Sequence, residues 1–179
     1  MKLSADDFAS RARALRWLLL DVDGVLTDGR LFYVGSGEDP MIFHVRDGLA
    51  IKLAREQGLG VGILSGRGGP ALDRRVHELG LDPVVTRCSD KGPAFEKIVA
   101  RLGLTAEQVA YVGDDLQDLP AIRRCGLSFC PADAAAEVRA AVDVVLSAAG
   151  GHGAIREMIE LILSEGDRWR ALAQRLHDG

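Results

Sequence analysis

The chain has 179 residues, 47% of them hydrophobic, so it fits one ordinary domain with a substantial core and is too short for two. It carries 22 Lys and Arg against 26 Asp and Glu, and the resulting charge of −4 argues against a chain-wide basic surface for nucleic acid or anionic lipid. Any anionic substrate must then be held by local cations.

In chain order, residues 1–16 mix Lys2, Asp6, Asp7, Arg11 and Arg13 with apolar residues and predict a short amphipathic helix, not a signal peptide. The runs Trp17–Leu20, 61–64, Val109–Val112 and 142–146, with Val84–Val85 and 127–129 as weaker candidates, lack in/out alternation and suit strands buried on both faces. Between them apolar residues recur three or four apart, as in Leu49/Leu53, Leu72/Val76/Leu79, Phe95/Ile98/Leu102 and Ile155/Ile159/Ile162, which predicts helices. The alternation predicts an α/β domain, a Rossmann-like parallel sheet with helices on both faces. Residues 30–34 and 41–45 are β-prone and joined by the turn-rich Gly-Ser-Gly-Glu-Asp-Pro, so a protruding β-hairpin is expected over about residues 30–45. The helix holding Ile155 is expected to run to about Leu163, followed by a polar C-terminal arm over about 164–179 whose Trp169, Leu172 and Leu176 share a face. No run of about 18 apolar residues occurs, and Cys88, Cys125 and Cys130 are odd in number without CxxC spacing. A single domain over residues 1–179 is therefore expected, in the cytoplasm and without a membrane or nucleic-acid partner.

The strand Trp17–Leu20 ends in Asp21-Val22-Asp23-Gly24, and a period of two puts both carboxylates on one face at its carboxyl end, where open α/β sheets bind ligands. Val109–Val112 ends in Gly113-Asp114-Asp115-Leu116-Gln117-Asp118, and a helix starting there brings Asp114 and Asp118 together over its first turn. Ser65 follows the run 61–64, and Lys91 opens a further helix. Singly, Asp114 or Ser65 reads as a helix cap and Asp-Gly as turn chemistry. Together, four acids, a serine and a lysine placed after neighbouring strands are poorly explained as caps. Asp21, Asp23 and Asp114 would repel one another in a desolvated cleft, which makes a hard divalent cation such as Mg²⁺ their natural partner.

This constellation resembles the haloacid dehalogenase-like phosphatases, whose four motifs are matched in order by Asp21-Val22-Asp23-Gly24-Val25, Ser65, Lys91 and Gly113-Asp114-Asp115-Leu116-Gln117-Asp118. The resemblance implies Asp21 as a nucleophile forming an aspartyl-phosphate and Asp23 as general acid and then base. It also implies Ser65 and Lys91 on the transferring phosphoryl oxygens, and Mg²⁺ held by Asp21, the Asp23 backbone carbonyl and Asp114. Asp115 and Asp118 would act through water or orient Lys91. Only 41 residues separate Asp23 from Ser65 and 25 separate Ser65 from Lys91, too few for the cap domain that most such enzymes insert there. A capless site either works on macromolecules or borrows a lid from another subunit.

Over nearly its whole length the chain is similar to the capless, homotetrameric phosphatases of 3-deoxy-D-manno-octulosonate 8-phosphate, in LDVDGVLTDG at 20–29, HVRDG at 44–48, LSGR at 64–67, AYVGDDLQD at 110–118 and GGHGAIRE at 150–157. The resemblance implies substrate contacts from Asp23, His44, Val45, Arg46, Asp47, Gly48, Lys52, Arg67, Arg75 and Lys91. It implies also a homotetramer that releases the free sugar acid for lipopolysaccharide precursor synthesis. Ordinary helix chemistry offers another account for two of these, with Arg75 pairing with Glu78 and Lys52 with Glu56. The chain departs from the commonest family pattern at His44, Lys52, Gly68 and His152, and a lysine cannot reproduce a bidentate arginine grip on a carboxylate. Related enzymes acting on nine-carbon sialic-type acid 9-phosphates are expected to carry Glu where Arg67 stands, so Arg67 favours the eight-carbon substrate. Two further readings are a non-catalytic assembly domain of the same fold, opposed by the intact acidic set, and a phosphoacceptor receiver domain. A receiver has its acceptor after a central strand, whereas the DxD motif here follows the first.

Overall fold

The structure, a computed structural model, describes residues 2–34 and 40–178. After α1 (Ala5–Ala14) the chain alternates β1 (Trp17–Leu20), α2 (Val45–Glu56), β2 (Gly60–Leu64), α3 (Pro70–Leu79), β3 (Val84–Val85), α4 (Lys91–Leu102) and β4 (Val109–Val112). It continues through α5 (Leu119–Ile122), β5 (Leu127–Cys130), α6 (Ala136–Ala141), β6 (Val144–Val145), α7 (Ala154–Ser164) and α8 (Arg168–Asp178). Among the described residues six strands form one parallel sheet in the order β3-β2-β1-β4-β5-β6, as the alternating pattern of the sequence predicts. From β1 the chain winds outward through β2 and β3, then crosses back to β4 and winds the other way. The switch point of the sheet therefore lies between β1 and β4, which pair in register with Leu20 opposite Val112.

Each strand feeds both faces, because successive side chains point to opposite sides. Leu18 and Leu20 of β1 join Val61, Ile63, Ala110 and Val112 under α1, α2 and α7. Leu19 joins Leu64, Val109 and Tyr111 under α4, α5 and α6. Burial on both faces is why the strands read as unbroken apolar runs. At the edge, β6 shortens to two residues, since Val142 closes α6.

Three expectations are corrected. The two limbs of the hairpin carry no strand among the described residues, Val45 opens α2 instead, and Gly35 to Asp39, where the turn falls, lie outside the described residues. A lone two-stranded ribbon off the sheet buries too little to hold its ladder, and Tyr33 and Ile42 stay 77% and 63% exposed. Leu49, expected on the buried face of α2, faces outward, and Ala50, Ile51, Leu53 and Ala54 form that face instead. The C-terminal segment is not a detached arm: α8 folds back on α7, with Leu172 buried, Arg156 over the Trp169 ring at 4.6 Å and Arg175 paired with Glu56 at 3.0 Å.

Candidate active site

The carboxyl ends of β1, β2 and β4 bring the acidic constellation together at the switch point. Asp21 prolongs the β1 ladder by donating its N–H to Val112, and Ser65 prolongs β2 by donating to Val85. Both are buried. Lys91 is the first residue of α4, which Asp90 caps by accepting from the Gly92 N–H at 3.2 Å, and this start aims the lysine inward. Its Nζ lies 2.9 Å from Asp21 Oδ2 and 2.6 Å from Asp118 Oδ1, with all three side chains essentially excluded from solvent.

Asp21, Asp114 and Asp118 each turn an oxygen into one cluster, within 4.8 Å of one another. Burial, then the charges of Asp21, Asp118 and Asp115, raise the Asp114 carboxyl to about 7, with Lys91 opposing. Burial and Asp118 likewise push Asp21 up to about 7 against the pull of Lys91. Burial works against the charge on Lys91, but the two carboxylates outweigh it and raise the ammonium above the ordinary lysine value. Among the described residues no hydrogen-bond donor reaches Asp21 Oδ1. Hard oxygen donors with a surplus of negative charge and an orphaned buried oxygen fit a small divalent cation such as Mg²⁺. The turn after Asp21 is shaped to the cluster: Gly24 has φ +73°, and a Cβ there would lie 2.0 Å from Asp114 Oδ2.

Asp23 stands apart from this cluster, with its Oδ2 2.9 Å from Arg67 Nε. Its carboxyl is raised by burial, with Arg67 and then Lys91 opposing. Ser65 Oγ accepts from the Arg67 N–H at 3.2 Å, so Ser65, Arg67 and Asp23 share one rim of the cleft. Asp115 is exposed and spends its carboxylate capping the turn at Leu116, whereas the buried Asp118 accepts from the Asp114 and Asp115 N–H groups at 3.0 and 3.1 Å.

The loop candidates scatter. His44 precedes α2 half-buried, and its Nδ1 has no hydrogen-bond partner among the described residues; Val45 and Arg46 face outward. Asp47 is buried, and its Oδ1 accepts from the Arg156 N–H at 2.8 Å, capping α7, whose own cap residue Gly153 has no side chain. That makes Asp47 a tie between α2 and α7. Lys52 and Arg75 line a separate recess of about 220 Å³ with Val45, Gly48, Leu49 and Leu79, which none of Asp21, Asp23, Ser65, Lys91 or Asp114 lines. Arg75 also lies 3.4 Å from Glu78 and over the Phe43 ring, while Glu56, the expected partner of Lys52, pairs with Arg175 instead.

Two parts of the site have no role in the motif pattern. Tyr111 donates its hydroxyl to Asp118 Oδ1 at 2.6 Å; its signal is one phenol in a buried aliphatic strand. The loop 148–153 packs so tightly on the Gly24 turn that a Cβ at Gly150 would meet the Gly24 carbonyl oxygen at 1.9 Å, and Gly151 donates to the Val25 carbonyl.

A haloacid dehalogenase-like hydrolase family matches residues 42–126. The chain is 48% identical, over 149 residues, to the 3-deoxy-D-manno-octulosonate 8-phosphate phosphatase of Haemophilus influenzae, covering 83% of each chain. A solved cobalt-bound form of the deoxy-D-mannose-octulosonate 8-phosphate phosphatase from that organism superposes with TM-score 0.85 at 46% identity, covering 88% of this chain and 93% of the other. The 3-deoxy-D-manno-octulosonate 8-phosphate phosphatase of Moraxella catarrhalis, solved with magnesium, phosphate and the sugar acid, superposes with TM-score 0.93 at 32% identity, covering 97% and 99%.

Proposed function

The chain belongs to the haloacid dehalogenase-like hydrolases, among the 3-deoxy-D-manno-octulosonate 8-phosphate phosphatases, and from that membership we propose that it releases the eight-carbon sugar acid from its 8-phosphate for lipopolysaccharide precursor synthesis. It is a phosphoric monoester hydrolase with Mg²⁺ as cofactor. The observation that carries the reading is the buried Lys91 ammonium bridging Asp21 and Asp118 beside Asp114 at the switch point.

In this mechanism an Asp21 carboxylate oxygen attacks phosphorus in line, the phosphorus–alkoxide bond breaks, and Asp23 delivers a proton to the departing oxygen. The acyl phosphate on Asp21 then yields to a water whose proton Asp23 takes back, and breaking the bond between Asp21 and phosphorus frees phosphate. Ser65 and Lys91 hold the phosphoryl oxygens as charge moves among them. Asp21, Asp114 and the Asp23 carbonyl would hold Mg²⁺, which supplies charge neutralisation to the phosphoryl group. Arg67 is the cation for the substrate carboxylate. A nine-carbon sialic-type acid 9-phosphate is the alternative substrate.

The protein acts as a homotetramer in the cytoplasm. Support for assembly comes from Leu31, Phe32, Tyr33, Val34, Ile42 and Val45, all between 44% and 82% exposed on one stretch of chain, which is costly in an isolated subunit. Lys52 and Arg75, set in their own recess, then serve a neighbouring copy. Its three cysteines are free thiols, in keeping with a reducing compartment.

The test is Mg²⁺-dependent phosphate release from 3-deoxy-D-manno-octulosonate 8-phosphate, a sialic acid 9-phosphate and simple sugar phosphates. A kcat/KM preference of about a hundredfold for the first is expected, roughly 2.7 kcal/mol of discrimination. Equal rates across the panel would overturn the substrate. Asp21→Asn should abolish release in every case while the protein stays folded, and turnover at the parent rate would exclude the covalent route.

A further inference from the structure

Tyr111 stands out in β4 because phenylalanine would fill the same space without burying a polar atom. The strand reads Val-Ala-Tyr-Val, all four residues are buried, and Tyr111 packs among Leu19, Leu64, Phe95 and Ile98. A phenol there is costly unless its hydroxyl is satisfied, and its partner is the carboxylate of Asp118, 2.6 Å away and fully buried.

An ionised carboxylate offers about four lone-pair sites, and among the described residues Asp118 is reached by four donors. Lys91 Nζ and Tyr111 Oη share Oδ1, each at 2.6 Å, while the Asp114 and Asp115 N–H groups share Oδ2. Three of these donors also belong to the catalytic centre: Lys91 touches Asp21, and the two N–H groups belong to the loop that carries Asp114. Of the four, only Tyr111 comes from within the sheet, on a strand paired on both sides. Removing its hydroxyl leaves Oδ1 held by Lys91 alone, with a free lone pair beside the oxygens of Asp21 and Asp114.

We propose that Tyr111 is a positioning residue: through its hydroxyl it anchors Asp118 to the sheet, so that Asp118 holds Lys91 against Asp21 and the transferring phosphoryl group. This rests on the phosphatase reading, in which Lys91 grips phosphoryl oxygens. A residue that only packs the core would not need the hydroxyl.

The experiment compares Tyr111→Phe, Lys91→Met and the double variant for affinity toward inorganic orthophosphate, by calorimetry of the full-length protein with Mg²⁺. Tyr111→Phe should weaken orthophosphate about fivefold and lower kcat with p-nitrophenyl phosphate by a similar factor, and in the Lys91→Met background it should change affinity by less than about twofold. Unchanged affinity and kcat in Tyr111→Phe, or an equal loss in both backgrounds, overturns the proposal. A parent protein that releases no phosphate and binds none would overturn the phosphatase reading itself, a different result from a parent active and unaffected by the substitution.

Should Tyr111→Phe not fold, the chain has only one other tyrosine, Tyr33. A Tyr33→Phe protein grown on 3-fluorotyrosine therefore reports on residue 111 alone. Orthophosphate should shift that fluorine resonance with Lys91 present and leave it in place in Lys91→Met, and the same shift in both overturns the coupling.

Discussion

Arg67 Nε lies 2.9 Å from Asp23 Oδ2, so the cation proposed to meet the substrate carboxylate holds, before substrate arrives, the residue proposed to protonate the leaving group. On that proposal the two roles compete: a carboxylated substrate would draw Arg67 away and leave Asp23 freer to keep its proton, because Arg67 is the main influence lowering that carboxyl.

Arg67→Gln should therefore raise KM for the sugar-acid phosphate by about tenfold or more, the loss of a charge-assisted hydrogen bond, and leave kcat/KM for p-nitrophenyl phosphate within about threefold. With the cation gone the Asp23 carboxyl rises further, so the alkaline limb of the kcat/KM profile for the sugar-acid phosphate should move to higher pH. Steady-state kinetics on the two substrates checks both. An unchanged KM for the sugar-acid phosphate would remove Arg67 from substrate recognition.

The metal-free protein should lose stability as pH rises. Asp21 and Asp114 sit near 7 when folded and near 4 when unfolded, so between about pH 4 and pH 7 the folded state holds protons that the unfolded chain has released. Stability then falls with rising pH across that window and stays low above it. Glu78 and Glu107 are lowered instead, Glu78 by hydrogen bonds to Arg74 and Arg75 and Glu107 by hydrogen bonds of its own turn, so they act only below about pH 4.5. At about pH 8, Mg²⁺ at a hundred times its Kd should add about 2.7 kcal/mol, or roughly 5–10 °C in Tm. Thermal melts with EDTA and with Mg²⁺ at several pH values make the check. A metal-free Tm that climbs from about pH 5 to pH 8 would contradict the account by burial and like charge.

Gly24→Ala puts a methyl group where Asp114 Oδ2 lies, at a φ of +73°, and should erase most of the Mg²⁺-dependent rise in Tm together with turnover. Gly58→Ala is the control. It has φ +82° and nothing among the described residues within 4 Å of an added Cβ, so it should cost only about 1 kcal/mol of backbone strain and leave the metal response intact. Equal responses to Mg²⁺ in the two variants would show that the Gly24 cradle does not set the position of Asp114.

Phe32→Asp combined with Tyr33→Asp charges the exposed apolar limb. Light scattering should show the mass falling from that of the proposed tetramer toward one chain, with p-nitrophenyl phosphate hydrolysis retained better than hydrolysis of the sugar-acid phosphate. An intact tetramer would place the interface elsewhere.

Much of the centre was legible because its information is local. A strand read by its apolar run places Asp21, Ser65 and Asp114 at carboxyl ends whatever else the chain does, and like charges so gathered call for a cation. The helix faces were partly legible: Ile155, Ile159 and Ile162 lie inward, but Leu49 does not, since a period of three or four cannot tell which of two apolar stripes meets the sheet. The hairpin failed for a related reason, because β-propensity states a preference for pairing without supplying the neighbours that make a ladder worth its entropy.

The sequence by itself determined the alternation of sheet strands with helices, the strand-end acids and lysine, and the absence of room for a cap, all of which follow from short-range periodicity and spacing. Only the tertiary structure decided the partners. Asp118 gathers Lys91 and Tyr111 from elements 27 and 7 residues away, Arg67 pairs with Asp23, and Asp47 caps a helix that begins 107 residues later. Such contacts join groups whose separation along the chain carries no signal. Their energies depend on burial and on which lone pairs are already filled, and neither exists until the sheet has closed.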